Sequence, residues 1–157
     1  MQIFDMKTYL VTGCAGFIGS NLVDYLLKKN NRIIGLDNLS TGKKFFLKKA
    51  LKNKNFKFFK IDLLKNNIDR YFKNVDRVYH FAANADVRFG LKHRKKDINQ
   101  NILVTYKILE TIKKNKINEI IFSSTGSIYG EATQIPTKEN SPFPIQTSLY
   151  GSIKSIC

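Results

Sequence analysis

The chain has 157 residues, enough for one domain with a sizeable single core. Apolar side chains make up 43% of it, which excludes a disordered chain, and no apolar run approaches the length that spans a bilayer. The formal net charge is +15, but only five of the 27 basic residues are arginine (Arg32, Arg70, Arg77, Arg88, Arg94) and the lysines are scattered among Asn and Ile, so no specific nucleic-acid partner is expected.

Met1 to Asp5 runs straight into a strand-like segment without the pattern of a secretion signal, and neither membrane insertion nor a membrane partner is expected. The two cysteines, Cys14 and Cys157, lie at opposite ends of the chain and cannot build a disulfide framework. A soluble protein of the reducing cytoplasm is the expectation, its positive charge helping to draw in an anionic nucleotide.

Strands and helices alternate. Thr8 to Val11 reads as a first strand ending at Gly13, and Ile18, Leu22 and Leu26 recur four apart as one face of a helix. Arg32 to Leu36 is a second strand closed by Asp37. Asn38 to Gly42 reads as a turn and Lys43 to Lys52 as a basic helix. Phe56, Phe58 and Ile61 mark a third strand, whose Lys57 and Lys60 suit a sheet edge. A short helix over Ile68 to Phe72 and a fourth strand over Asp76 to Phe81 follow. Ile98, Ile102, Thr105, Leu109 and Ile112 step as one buried stripe of a long helix, which Asn115 to Asn118 breaks. Glu119 to Ser123 is a fifth strand. A loop with Pro136, Pro142 and Pro144 leads to a last helix starting near Ser148. This alternation predicts an α/β fold, a doubly wound parallel sheet in the order 3-2-1-4-5, with ligands at the carboxyl ends of the strands.

The motifs fall at those ends. Gly13, Gly16 and Gly19 are three apart in the turn from first strand to first helix. There they allow a sharp bend, close approach of a pyrophosphate, and tight packing of helix on sheet. The helix N-terminus offers N–H groups to the diphosphate. An ordinary strand–helix turn is the alternative. Asp37, 18 residues after Gly19, stands where an acid bonds the adenosine ribose hydroxyls. No Arg follows it to accept a 2′-phosphate, so NAD is favoured over NADP. Asp62 ends the third strand and either meets the adenine or caps a helix. Tyr150 and Lys154 form an i, i+4 pair on one helical face. A phenol with an ordinary pKa near 10 becomes a base only if neighbouring cations stabilise its phenolate. A solvated amphipathic helix is the alternative. Ser123 to Gly130 offers small hydroxyls that either bond a substrate hydroxyl or cap a polar turn.

Taken together, these residues resemble the extended short-chain dehydrogenase/reductase superfamily. Within it the chain is most similar to the NDP-sugar epimerases related to UDP-glucose 4-epimerase. The resemblance rests on Thr12 to Ser20, Asp37 to Gly42, Asp62-Leu63, His80 to Ala83, Asn101, Ser123 to Gly130, and Ser148 to Gly151 with Lys154. It implies a Rossmann fold holding NAD. Phe17 and Ile18 would give backbone N–H groups to the pyrophosphate. Asp37 and Asn38 would hold the ribose, and Asp62 and Leu63 the adenine. Phe81, Ala82 and Ala83 would line the nicotinamide side, with Asn101 supporting that region and Asn99 close enough to compete for the part. Thr125 would share a hydrogen bond with the sugar hydroxyl. Tyr150 would be the base, and Lys154 would hold the nicotinamide ribose and tune Tyr150. The implied reaction is transient oxidation at C4 of a nucleotide sugar, a UDP-sugar being the expected substrate, and no metal is implied. Gly126 and Ser127 follow Thr125 where the related dehydratases carry an acidic pair, which favours an epimerase.

Family members continue beyond Lys154 through further strands and a carboxyl-terminal domain that grips the sugar. Residues 1–157 are therefore expected to be an incomplete nucleotide-binding domain, inactive alone. Ile120, Ile121 and Phe122 would lie on an open edge and drive self-association or pairing with a complementary chain. The competing readings are a non-catalytic dinucleotide-binding module or remnant, and a dehydratase or decarboxylase of the same superfamily.

Overall fold

The computed structural model describes residues 6–84, 93–132, 134–146 and 148–157. Met1 to Asp5 and Arg88, which entered the sequence reading, lie outside the described residues, as does the side chain of Arg94. Strand-forming runs become β1 (Thr8–Thr12), β2 (Arg32–Asp37), β3 (Phe56–Lys60), β4 (Arg77–His80) and β5 (Ile120–Phe122). All pair in parallel, in the order β3-β2-β1-β4-β5. The expected order holds, and lysine-bearing β3 is at an edge as expected. Registers align the strand ends: Thr12 lies opposite both Leu36 and His80, and His80 opposite Phe122. Both β1 and β2 grow more buried toward their carboxyl ends. The central strands therefore stop where the sheet changes direction on either side of β1, the place where open α/β sheets bind ligands.

The described residues form two compact units. The first, from Met1–Ala82 and Lys107–Phe122, holds the sheet and α1 (Phe17–Lys28). Its core gathers Val11, Val23, Leu27, Ile33, Leu47 and Phe56. The second, from Ala83–Tyr106 and Ser123–Cys157, holds α2 (Arg94–Asp97), a π-helical turn (Ile98–Leu103), the start of α3 (Val104–Lys114), a 3-10 turn (Gly126–Tyr129) and α4 (Leu149–Ile156).

Three expectations are corrected. Lys43 to Lys52 is not a helix but two 3-10 turns, Lys44–Leu47 and Ala50–Lys52. Its two buried residues, Leu47 and Ala50, are three apart, which suits the tighter winding. The face of α1 is Gly19, Ser20, Val23, Leu26 and Leu27, while Ile18 is exposed. A Cβ on Gly19 would stand 2.2 Å from the Gly13 carbonyl oxygen. That close approach fixes the rotation of the helix and turns Ile18 away. The long helix buries Asn101, Val104, Thr105, Ile108, Thr111 and Ile112, while Ile98 and Leu109 are exposed. The π-helical turn adds a residue to its winding and shifts the phase of a regular stripe.

Candidate active site

In the first unit the glycine loop closes on itself. Gly13 has φ +67°, where a side chain is strained, and a Cβ there would lie 2.7 Å from the Ala82 nitrogen. The Gly16 N–H donates to the Gly13 carbonyl at 3.1 Å, and the Gly13 N–H to the Leu36 carbonyl at 2.9 Å. Gly16 stands at the N-cap of α1 with no side chain capping the helix, and Phe17 and Ile18 are exposed behind it. The first turn therefore presents uncapped N–H groups over a glycine-lined surface, a donor set that suits a diphosphate.

Asp37 is buried, and its two carboxylate oxygens divide between two segments. Oδ2 accepts the Ala15 N–H at 2.9 Å and Oδ1 the Leu39 N–H at 2.7 Å. Beside it, Asn38 Oδ1 accepts the Ser40 N–H at 2.9 Å. Asp62 Oδ1 accepts the Leu64 N–H at 3.0 Å, and its own N–H donates to Asn66 Oδ1 at 3.0 Å. That organises a loop turn rather than a helix cap. Leu63 is buried in the core. Lys107 braces the loop, its Nζ donating to the Leu64 and Asn66 carbonyls at 3.0 and 2.8 Å.

Two residues quoted only as members of motifs do more. Thr12 and His80 are fully buried, with Thr12 Oγ1 2.7 Å from His80 Nδ1. The same Oγ1 accepts the Ala82 N–H at 3.2 Å, so the pair holds the backbone of Phe81 and Ala82 at the end of β4. The signal was a hydroxyl and an imidazole at matching strand ends, visible only once the register was known.

In the second unit Asn101, not Asn99, is the buried amide. Its Oδ1 accepts the Asn84 N–H at 2.8 Å and its Nδ2 donates to the Asn84 carbonyl at 3.3 Å. Asn84 Nδ2 in turn donates to Asp97 Oδ1 at 2.5 Å. The sequence reading missed Asn84 and Asp97, which lack a motif of their own. Ala83, next to Asn84, is half-buried.

Ser148 caps α4, its Oγ accepting the Gly151 N–H at 3.0 Å. Tyr150 and Lys154 both lie on the buried face of that helix. The Thr125 hydroxyl acts on the Tyr150 phenol, favouring its ionised form. Thr125 Oγ1 also accepts the Ser127 N–H at 3.2 Å, capping the 3-10 turn. Lys154 Nζ reaches the Ser123 carbonyl at 3.5 Å. Burial pushes the Tyr150 phenol up from its ordinary value, with Asp97 adding and the Thr125 hydroxyl opposing. Burial pulls the Lys154 ammonium down, opposed by Cys157. Among the chain's own groups, those that keep Tyr150 protonated outweigh those that favour its phenolate: desolvation exceeds the pull of the Thr125 hydroxyl.

Residues 9–156 match the model of a family described as the NAD dependent epimerase/dehydratase family. The chain is 36% identical over 148 residues to a UDP-glucose 4-epimerase of Halalkalibacterium halodurans, covering 92% of this chain and 42% of that one. Among solved structures it resembles the UDP-N-acetylglucosamine 4-epimerase of Methanobrevibacter ruminantium M1, in complex with UDP-N-acetylmuramic acid, with a TM-score of 0.91 and 34% identity. That likeness covers 98% of this chain and 49% of the other. A UDP-glucose 4-epimerase of Bifidobacterium longum, in complex with NAD+ and UDP, gives 0.89 and 30%, covering 96% and 46%. The chain spans about half the length of the relatives it matches.

Proposed function

Because the chain belongs to the NAD dependent epimerase/dehydratase family, we propose that it is the cofactor-binding and proton-transferring part of an NAD-dependent 4-epimerase acting on a UDP-sugar. The observation that carries this is the placing of Tyr150 and Lys154 together on the buried face of one helix, with the Thr125 hydroxyl acting on the phenol; the glycine loop of the first unit separately suits a diphosphate. Solved relatives complexed with NAD+ and UDP support the choice of cofactor and nucleotide. Gly126 and Ser127 after Thr125 supply no second acid for elimination, which favours epimerisation over dehydration.

When bound, NAD supplies the acceptor and then the donor of the hydride at sugar C4. Phe17 and Ile18 give backbone N–H groups to its diphosphate over Gly13, Gly16 and Gly19. Asp37 and Asn38 hold the adenosine ribose while the Asp37 carboxylate also ties Ala15 to Leu39. Asp62 and Leu63 border the adenine, and Phe81, Ala82, Ala83 and Asn101 the nicotinamide side. Thr125 orients the sugar hydroxyl, Tyr150 takes its proton and returns it, and Lys154 holds the second ribose. The setting is cytoplasmic, and the assembly is a homodimer or a pairing with a complementary chain.

The test supplies the purified chain with the carboxyl-terminal half of a related 4-epimerase and assays conversion of UDP-galactose to UDP-glucose. The chain alone is expected to be inactive and the pair to turn over. Tyr150→Phe should reduce the restored rate by about a hundredfold or more, the usual cost of losing a general base. Full activity in that variant would exclude Tyr150 as the base.

A further inference from the structure

From Asn38 to Ile61 the chain carries eight lysines and no acid, so more than half of the net charge of +15 resides in 24 residues. The charge is not evenly scattered, as the sequence reading held. Six of these lysines (Lys43, Lys44, Lys48, Lys49, Lys52, Lys54) stand on or beside the two 3-10 turns, and all six are exposed. The turns are seated firmly. Leu47 and Ala50 are buried in the core, and the Lys48 and Lys52 N–H groups close the turns on the Phe45 and Lys49 carbonyls. Fixing those two anchors points the other apolar residues outward: Phe45 is 74% exposed, Phe46 44% and Leu51 42%.

We propose that this ledge is a docking surface for an anionic lipid bilayer. Exposed aromatic and aliphatic tips ringed by lysines are the composition of an interfacial contact. The apolar tips enter the headgroup boundary while long lysine stems carry their charges back to the lipid phosphates. No spanning helix is needed, and none of the described helices is long and apolar enough to be one; the proposal departs from the expectation of no membrane partner. Three features favour lipid over nucleic acid. The Phe45 and Phe46 rings meet edge to face, 6.2 Å apart at 64°, so they do not present a pair of parallel stacking platforms. An exposed aliphatic Leu51 stands on the second turn, and no arginine lies among these 24 residues.

The chain has no tryptophan, so Phe45→Trp makes a single reporter on an exposed position. Its emission should shift to the blue with phosphatidylcholine vesicles containing phosphatidylglycerol, and stay unchanged with phosphatidylcholine alone. Lys48→Ala with Lys49→Ala should weaken vesicle affinity about thirtyfold, the loss of two lysine–headgroup attractions. Phe46→Ser should lower the bound fraction with an unaltered far-ultraviolet spectrum. Emission unmoved by anionic vesicles would overturn the proposal. So would an equal response to neutral vesicles, or a response to single-stranded homopolymer RNA in place of vesicles.

Discussion

Tyr150 and Lys154 share one buried helical face, and burial moves them in opposite directions. The Tyr150 phenol is raised above its ordinary 10.0, chiefly by desolvation. The folded chain then holds that proton more tightly than the unfolded chain does. This contribution to stability is fully present below pH 10 and is lost as pH rises through the folded value. Lys154 is lowered from 10.5, so the folded chain holds its proton less tightly. Its penalty is present below the folded value and is relieved as pH climbs toward 10.5. Denaturant melts on wild type and Tyr150→Phe across this range separate the two. Wild type should lose stability relative to Tyr150→Phe as pH passes 10, and parallel curves would show that Tyr150 is not raised. Under the proposed function, a phenol held neutral by its own protein serves as a base only once further positive charge reaches it. Asp37 shows another combination at this scale: its carboxylate is held by two backbone N–H groups whether or not it also meets a ribose.

Among the elements, α1 depends on one missing side chain. Gly19 lies against the Gly13 carbonyl so closely that a Cβ would meet its oxygen at 2.2 Å, and backbone cannot yield there as a flexible side chain could. Gly19→Ala should therefore cost about 3 kcal/mol by overpacking and loosen the glycine turn. Gly126 has nothing within 4 Å of its would-be Cβ. Gly126→Ala should change stability by less than about 0.5 kcal/mol. Chemical denaturation of the two variants checks the contrast, and equal costs would contradict the loop geometry. The same glycine contact explains why periodicity misjudged α1. Apolar spacing offered Ile18, but the close packing at Gly19 set the rotation. In α3, Ile108 and Leu109 are adjacent and both apolar, so spacing alone could not choose Ile108. Lys43 to Lys52 read as one basic helix, whereas only Leu47 and Ala50 of that run reach the core, on two separate turns.

Across the whole chain, the sheet order was legible because strands and helices alternate and parallel crossovers leave few topologies. The glycine loop, Asp37 and the Tyr150–Lys154 pair were legible because their chemistry fixes both residue type and spacing. The Thr12–His80 pair and the Asn84–Asp97–Asn101 cluster were not, because their members meet only through register and a π-helical turn. The local concentration of lysine was hidden by an even-looking composition until exposure singled out one ledge. Under the proposed function, a diphosphate-binding turn is joined to an acid that rejects a 2′-phosphate. Calorimetric titration of the purified chain with NAD and with NADP at equal ionic strength tests that union most directly. The account predicts tighter binding of NAD, with the difference reduced in Asp37→Asn; equal affinity, or tighter NADP, would contradict it.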